Sequence, residues 1–246
     1  VSHVITDAPS SRSTLMEDVV NIFIKPSSVF ENNRNKSFVM AAVVQSVIFL
    51  VLVFALKNLV SPYMDAEVAR NMAKAAAKAA ASGQPMPAGA GAMGEKIASI
   101  GGMIGPVLAP WFIAIFGGLF TWIAARIVGA KLTFGQSAMI AAWSGFPAVL
   151  SYIATGVQGA LVDAGTVRGM SDASLGPARF VDPATTPAAL LALLQNLDVF
   201  SLWTVILIAI GVAIVARVTV SSGVVASIVK WGIVVLISMV PAVMQS

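Results

Sequence analysis

Catalysis gathers nucleophiles, bases or metal ligands, and this 246-residue chain is poor in all three: it has no cysteine and a single histidine, His3. Thiol chemistry, disulfides, haem thiolates and Cys/His metal sites are therefore excluded, and no cofactor is implied. The apolar segments contain no Asp, Glu or His, so a membrane-embedded serine hydrolase would lack a base for its nucleophile. GxSxG and GxxxxGK[ST] are absent. Gly89-Ala-Gly91-Ala-Met-Gly94 matches GxGxxG in letters, but no strand precedes it and no ribose-holding acid follows about twenty residues later. It reads as a Gly/Ala linker. Lys230 is the one charge deep inside an apolar run, with Trp231 beside it. Charges at such depth are functional candidates by default. Two uses are open: snorkelling to the cytoplasmic interface with Trp231 near headgroup level, or contact with an anion or lipid phosphate. The polar inventory predicts a protein that is not an enzyme.

These residues must be carried by elements suited to lipid. Hydrophobic residues make up 58% of the chain and charged residues 11%, against roughly 45–50% and 25% in soluble domains. A surface facing lipid needs almost no charge, whereas a soluble one needs a great deal. The net charge of +4 is spread over the whole length, which makes no nucleic-acid footprint. Five apolar segments, about 38–60, 99–126, 136–160, 199–217 and 224–244, approach the ~20 residues that span a 30 Å hydrocarbon core. The fold class expected is all-α, a polytopic bundle of five transmembrane helices with short interfacial helices at its N-terminus.

Residues 1–36 form the expected cytoplasmic N-terminal segment, and 37–246 the five-span domain. Glu17 and Asp18 interrupt the first apolar run, so no signal-peptide h-region is present and the N-terminus is expected to stay on the cytoplasmic side. Thr14 and Glu17 have capping-box spacing; Leu15, Val19, Ile22 and Phe23 follow on one face before Pro26. This predicts an amphipathic helix on the membrane surface. Pro26 starts a second short helix containing Phe30, whose apolar face is expected to enter the interface.

Two long connections, about 61–98 and 161–198, are expected on the outer side. The first holds Pro62, an Ala-rich helix over 65–81 with Arg70, Lys74 and Lys78 on a solvated face, and a flexible linker over 82–94. The second ends in a short apolar helix over 187–197, too short to span. Basic residues divide evenly between the sides, but short connections decide orientation: Arg126 with Lys131, and Arg217, stand without acid, whereas the 161–198 connection adds Asp163, Asp172 and Asp182. The positive-inside rule then predicts N-terminus in and C-terminus out. Gly101 with Gly105, Ala141 with Gly145 and Ala138 with Ala142 are small-xxx-small pairs, expected to pack helices closely, mainly within the chain.

The lead-in Ile24-Lys-Pro26-Ser-Ser-Val-Phe30-Glu31, the stretch Gly129-Ala-Lys-Leu-Thr-Phe-Gly-Gln136 leading to Trp143-Ser-Gly-Phe-Pro147, and Asp198-Val-Phe-Ser-Leu-Trp203 with Ile210-Gly211 resemble, in order and spacing, the signatures of Yip-domain membrane proteins, the Ypt/Rab-interacting family. The resemblance covers about residues 15–246 and implies five spans with a cytoplasmic N-terminus. The long N-terminal region and Asp-Leu-Tyr-Gly-Pro motif of the eukaryotic members are absent, so Rab binding is not implied; the chain looks more like the prokaryotic branch. The expectation is a scaffold or accessory subunit of the bacterial inner membrane. Its partners would be membrane lipids and a protein or second copy, and no nucleic acid. The rival is a transporter or lipid-translocating protein, its path lined by breaks at Gly101 to Pro106 and Gly145 to Pro147 with Lys230.

Overall fold

The computed structural model describes residues 14–83 and 89–244. His3 and residues 84–88 of the expected linker lie outside that range. Among the described residues there is no strand. The helices are α1 (Leu15–Ile24), α2 (Pro26–Asn33), α3 (Val39–Ala81), α4 (Ala90–Phe112), α5 (Gly118–Ile127), α6 (Phe134–Ser144), α7 (Pro147–Gly159), α8 (Ala188–Gln195), α9 (Val199–Ala216) and α10 (Val220–Met244). A π-helical turn, Ile113–Gly117, joins α4 to α5, and 3-10 turns punctuate 164–180. Five helical stretches are long and apolar enough to cross a membrane: Val39–Ala81, Gly91–Ile127, Phe134–Gly159, Val199–Ala216 and Val220–Val240. The all-α bundle of five candidate spans stands as expected.

Local chemistry sets the helix starts. Thr14 and Glu17 form the capping box, with Glu17 accepting from the Thr14 N–H at 2.7 Å. Thr133 and Gln136 repeat it at α6, and Asp198 caps α9 by accepting from the Phe200 N–H at 2.9 Å. Each satisfies N–H groups that a helix start leaves bare. Arg217 closes α9 in the left-handed region at φ 54°, which turns the chain within three residues into α10.

Several boundaries move. Pro62 does not separate a span from an extramembrane helix; α3 runs through it for 43 residues, as membrane helices tolerate when neighbours re-satisfy the freed carbonyl. At 1.5 Å per residue α3 is about 65 Å long. Even at a 40° tilt, a 30 Å core holds only about 26 residues, so its last four turns leave the hydrocarbon. α4 accompanies them, with Gly91 and Gly94 against Met72 and Gly102 against Met64. The linker expected over 82–94 shrinks accordingly, because α4 begins at Ala90. Gly101, Gly102, Gly105 and Pro106 sit inside a regular helix, and the second span's irregularity falls at the π turn instead. The fifth span starts at Val220, ahead of the expected 224.

The third span, α6 with α7, is the centre of the bundle: residues 137–147 are all buried. Met139, Ile140, Trp143 and Phe146 join Leu207, Ile208 and Val212 of α9 in one core. α1 and α2 close one end of this core, here the near end, together with the turns at 128–133 and 217–219. The 160–198 connection covers the opposite, far end.

Candidate functional site

The singled-out residues fall in four separate places, and the structure does not bring them together.

Pro26 and Phe30 belong to the core of the near end. Pro26 opens α2, and Ile22, Val29 and Phe30 have no solvent exposure at all. A Cβ on Gly211 of α9 would lie 3.1 Å from the Phe30 ring, so the glycine makes room for the phenylalanine. Asn33 donates to the buried Asp18 at 2.8 Å, and Arg34 donates to the Val215 carbonyl at the end of α9 at 3.0 Å. The N-terminal pair is therefore docked into the bundle, which corrects the expectation that Phe30 faces the membrane interface. α1 still presents Met16, Val20 and Ile24 outward.

Gly145 and Pro147 mark a break between α6 and α7, and the break is filled. Pro147 has no N–H for the preceding turn, and Gln45 of α3, 1% exposed, inserts there. Its amide donates to the Ala142 carbonyl at 2.8 Å and more weakly to Ala41. Glycine at 145 leaves room for the amide, since a Cβ there would stand 3.0 Å from Gln45 Oε1. The expected cleft is thus a packed joint. Gln45 Oε1 and Ser144 Oγ are buried without hydrogen-bond partners, as is Ser137 Oγ near the start of α6.

Gly101 and Gly105 point outward: nothing lies within 4 Å of a Cβ on either. The expectation that this pair packs helices within the chain is overturned, because Gly102 is the residue that faces α3. The intrachain close contacts are elsewhere. A Cβ on Gly159 would lie 1.9 Å from the Leu59 carbonyl oxygen, one on Gly118 2.6 Å from Ala138 Cα, and one on Gly223 2.3 Å from the Ala209 carbonyl oxygen. These three glycines join span 1 to 3, 2 to 3 and 4 to 5. Ala138 and Ala141 do pack as their spacing predicts, against Gly118 and Gly117.

Lys230 and Trp231 also depart from expectation. The Trp231 indole donates to the Asn196 carbonyl at 3.2 Å, and Asn196 donates to Ser238 at 3.2 Å. Asn196 ends α8 at the far end, so Trp231 turns away from the near interface. Lys230 is half-buried, about 15 Å along α10 from its start. That distance exceeds what a four-carbon stem spans, so snorkelling to the near interface is not its arrangement. Its ammonium makes no ion pair or hydrogen bond with the described residues.

Sequence reading missed the far-end cover. Asp198 Oδ2 accepts from Ser174 Oγ at 3.1 Å and from the Leu175 N–H at 2.6 Å, while Glu67 of α3 accepts from the Met170 N–H at 3.2 Å. Arg168 pairs with Asp172 at 2.6 Å. Partial burial pushes the Asp172 carboxyl up, but the side-chain and backbone hydrogen bonds from Arg168 outweigh it and hold the group below its ordinary value. Beneath this cover lies a cavity of about 540 Å³ lined by hydroxyls, among them Ser151, Thr155, Ser201 and Thr204.

One outward face of α4 is apolar. α4 exposes Met93, Ile97, Ile100, Ile104 and Leu108 around Gly101 and Gly105, and part of this face accompanies α3 out of the hydrocarbon. Among the described residues no group of three His, Cys, Asp or Glu side chains is placed to hold a metal. The family model described as Yip1 domain matches residues 20–241. No curated protein and no solved structure matches the chain.

Proposed function

The chain belongs to the Yip1-domain family of membrane proteins, and from that premise we propose that it works without catalysis, as a membrane scaffold or accessory subunit acting through helix–helix and lipid contacts. The observation that carries this reading is the contrast between its centre and its rim. The middle of the third span, residues 137–147, is wholly buried and the break within the span is occupied by Gln45. The α4 face around Gly101 and Gly105, by contrast, combines exposed isoleucines with two uncovered glycines. Small-xxx-small surfaces let helix backbones approach closely, and an apolar face continuing beyond the hydrocarbon is worth covering. A second copy or another membrane protein would supply that cover.

The transporter reading loses its main support once the Gly145 to Pro147 break becomes a packed joint, and the hydroxyl-lined cavity draws no lining from α1 or α2. Orientation and location are part of the same proposal: a prokaryotic member in the bacterial cytoplasmic membrane, with the near end inside. Lys131 and Arg217 in the short near-end turns support it through the positive-inside rule. The C-terminus is then outside.

The test is the mass of the assembly excised from the native membrane in polymer discs, for the wild type and for Gly101→Leu/Gly105→Leu. The proposal expects a discrete complex that the double variant reduces to the single chain, its fold unchanged. A single chain in both samples would overturn it.

A further inference from the structure

Between α3 and α4, at the far end, lies a groove of about 480 Å³. Its floor is apolar: Val53 of α3, Met103 of α4 and Tyr152 of α7 line one end. Its charges stand in a fixed order along α3. Lys57 lies 18 residues after Val39, about 27 Å along the helix, which sets its ammonium near the edge of a 30 Å core. Asp65 follows about 12 Å further on, and Glu95 of α4 lines the same outer part. All three are exposed, and none forms an ion pair with the described residues. The groove thus runs from hydrocarbon through one cation at the membrane edge to two carboxylates beyond it.

That order selects a ligand. An acyl chain suits the Val53 end, an anion suits Lys57, and a cation farther out suits the carboxylates. A headgroup that brings no cation beyond its phosphate would leave both carboxylates uncompensated beside a lipid of net negative charge, which discriminates against it. A quaternary ammonium is recognised by aromatic cages, and the aromatic residue here, Tyr152, stands at the apolar end. A primary ammonium instead offers N–H donors that carboxylates accept. We propose that this groove holds one phospholipid of the ethanolamine class, its phosphate on Lys57, its ammonium between Asp65 and Glu95, and one acyl chain descending past Val53. The inference is independent of the scaffold reading, since it uses the inner face of the α3–α4 pair and not the outer one.

The purified full-length chain is titrated with phosphatidylethanolamine, phosphatidylcholine and phosphatidylglycerol of identical acyl chains, and bound lipid is counted by native mass spectrometry. One retained phosphatidylethanolamine per chain is expected, with the other two weaker by about tenfold, the equivalent of 1.4 kcal/mol. Asp65→Asn/Glu95→Gln should turn the preference towards phosphatidylglycerol. Lys57→Ala should weaken all three lipids. Ala98→Phe, which fills the groove without touching a charge, should abolish the specific adduct. Equal retention of the three lipids overturns the assignment, as does a preference that survives both Asp65→Asn/Glu95→Gln and Ala98→Phe. A dimer that forms through the groove and excludes phosphatidylethanolamine also overturns it.

Discussion

Replacing Gln45 probes the joint that closes the centre of the bundle. The side chain is 1% exposed, donates to Ala142 at 2.8 Å and to Ala41 at 3.3 Å, and leaves Oε1 buried without a partner. Gln45→Met keeps the volume, loses both membrane hydrogen bonds at about 0.6 kcal/mol each and removes the bare oxygen, whose burial costs about 1–3 kcal/mol. The two effects oppose, so Met should stay within about 1 kcal/mol of wild type. Gln45→Ala opens a cavity and should cost about 2–4 kcal/mol. Gln45→Glu can replace the amide donor only as the protonated acid, because an ionised carboxylate would face the Ala142 carbonyl. Holding it neutral at pH 7 costs about 3.7 kcal/mol relative to an ordinary glutamate near 4.3. An ordinary glutamate is increasingly ionised above that value, so the penalty grows with pH and fades as pH falls towards it. Unfolding in a mixed-detergent titration at pH 7 and pH 5 reads all three variants. If Glu matches Met at pH 7 and shows no dependence on pH, Gln45 does not fill the joint as described.

Four further outcomes follow from the packing. Gly159→Ala sets a Cβ 1.9 Å from the Leu59 carbonyl oxygen, backbone against backbone, and should cost at least the 1–3 kcal/mol typical of overpacking; an unchanged melting temperature would show that α3 and α7 separate freely. Phe30→Asp puts charge at a site with no exposure and should cost more than the 3–5 kcal/mol of a Phe→Ala truncation, read as loss of monodisperse protein in detergent, whereas normal yield would mean that α2 is undocked. Asp172 is held below its ordinary value, so its contribution is complete above about pH 3.9 and is lost as pH falls through the lower folded value; proteolysis of the 160–198 cover should accelerate in that acid window in the wild type and already at pH 7 in Asp172→Asn. Lys230→Leu should raise or preserve stability, since the ammonium has no partner among the described residues, and dissociation of a co-purifying subunit in that variant would instead mark Lys230 as an assembly contact.

The five spans and the cap of the first helix were legible because both depend on short stretches of sequence: about twenty apolar residues for a span, and the i, i+3 spacing of Thr14 and Glu17 for the cap. What could not be read is which face of each helix looks inward. Gly101 and Gly105 have the better-known spacing yet face out, while Gly118, Gly159 and Gly223 make the contacts, because those depend on the partner helix's position. Phe30 reads as an interfacial residue until Gly211, 181 positions later, is seen to accommodate it. Pro62 is a local breaker overruled by its neighbours. Gln45 carried the one local signal for a polar joint: an amide set among the apolar residues of the first span, 38–60.

If the chain acts by presenting the α4 face to another membrane protein, a photoreactive amino acid placed at Ile97, Gly101 and Ile104 in turn should capture that protein when native membranes are irradiated. A discrete protein adduct is expected from these outward positions, and none from Ala138, which is buried against Gly118. Adducts to lipid alone from all three outward positions would contradict it.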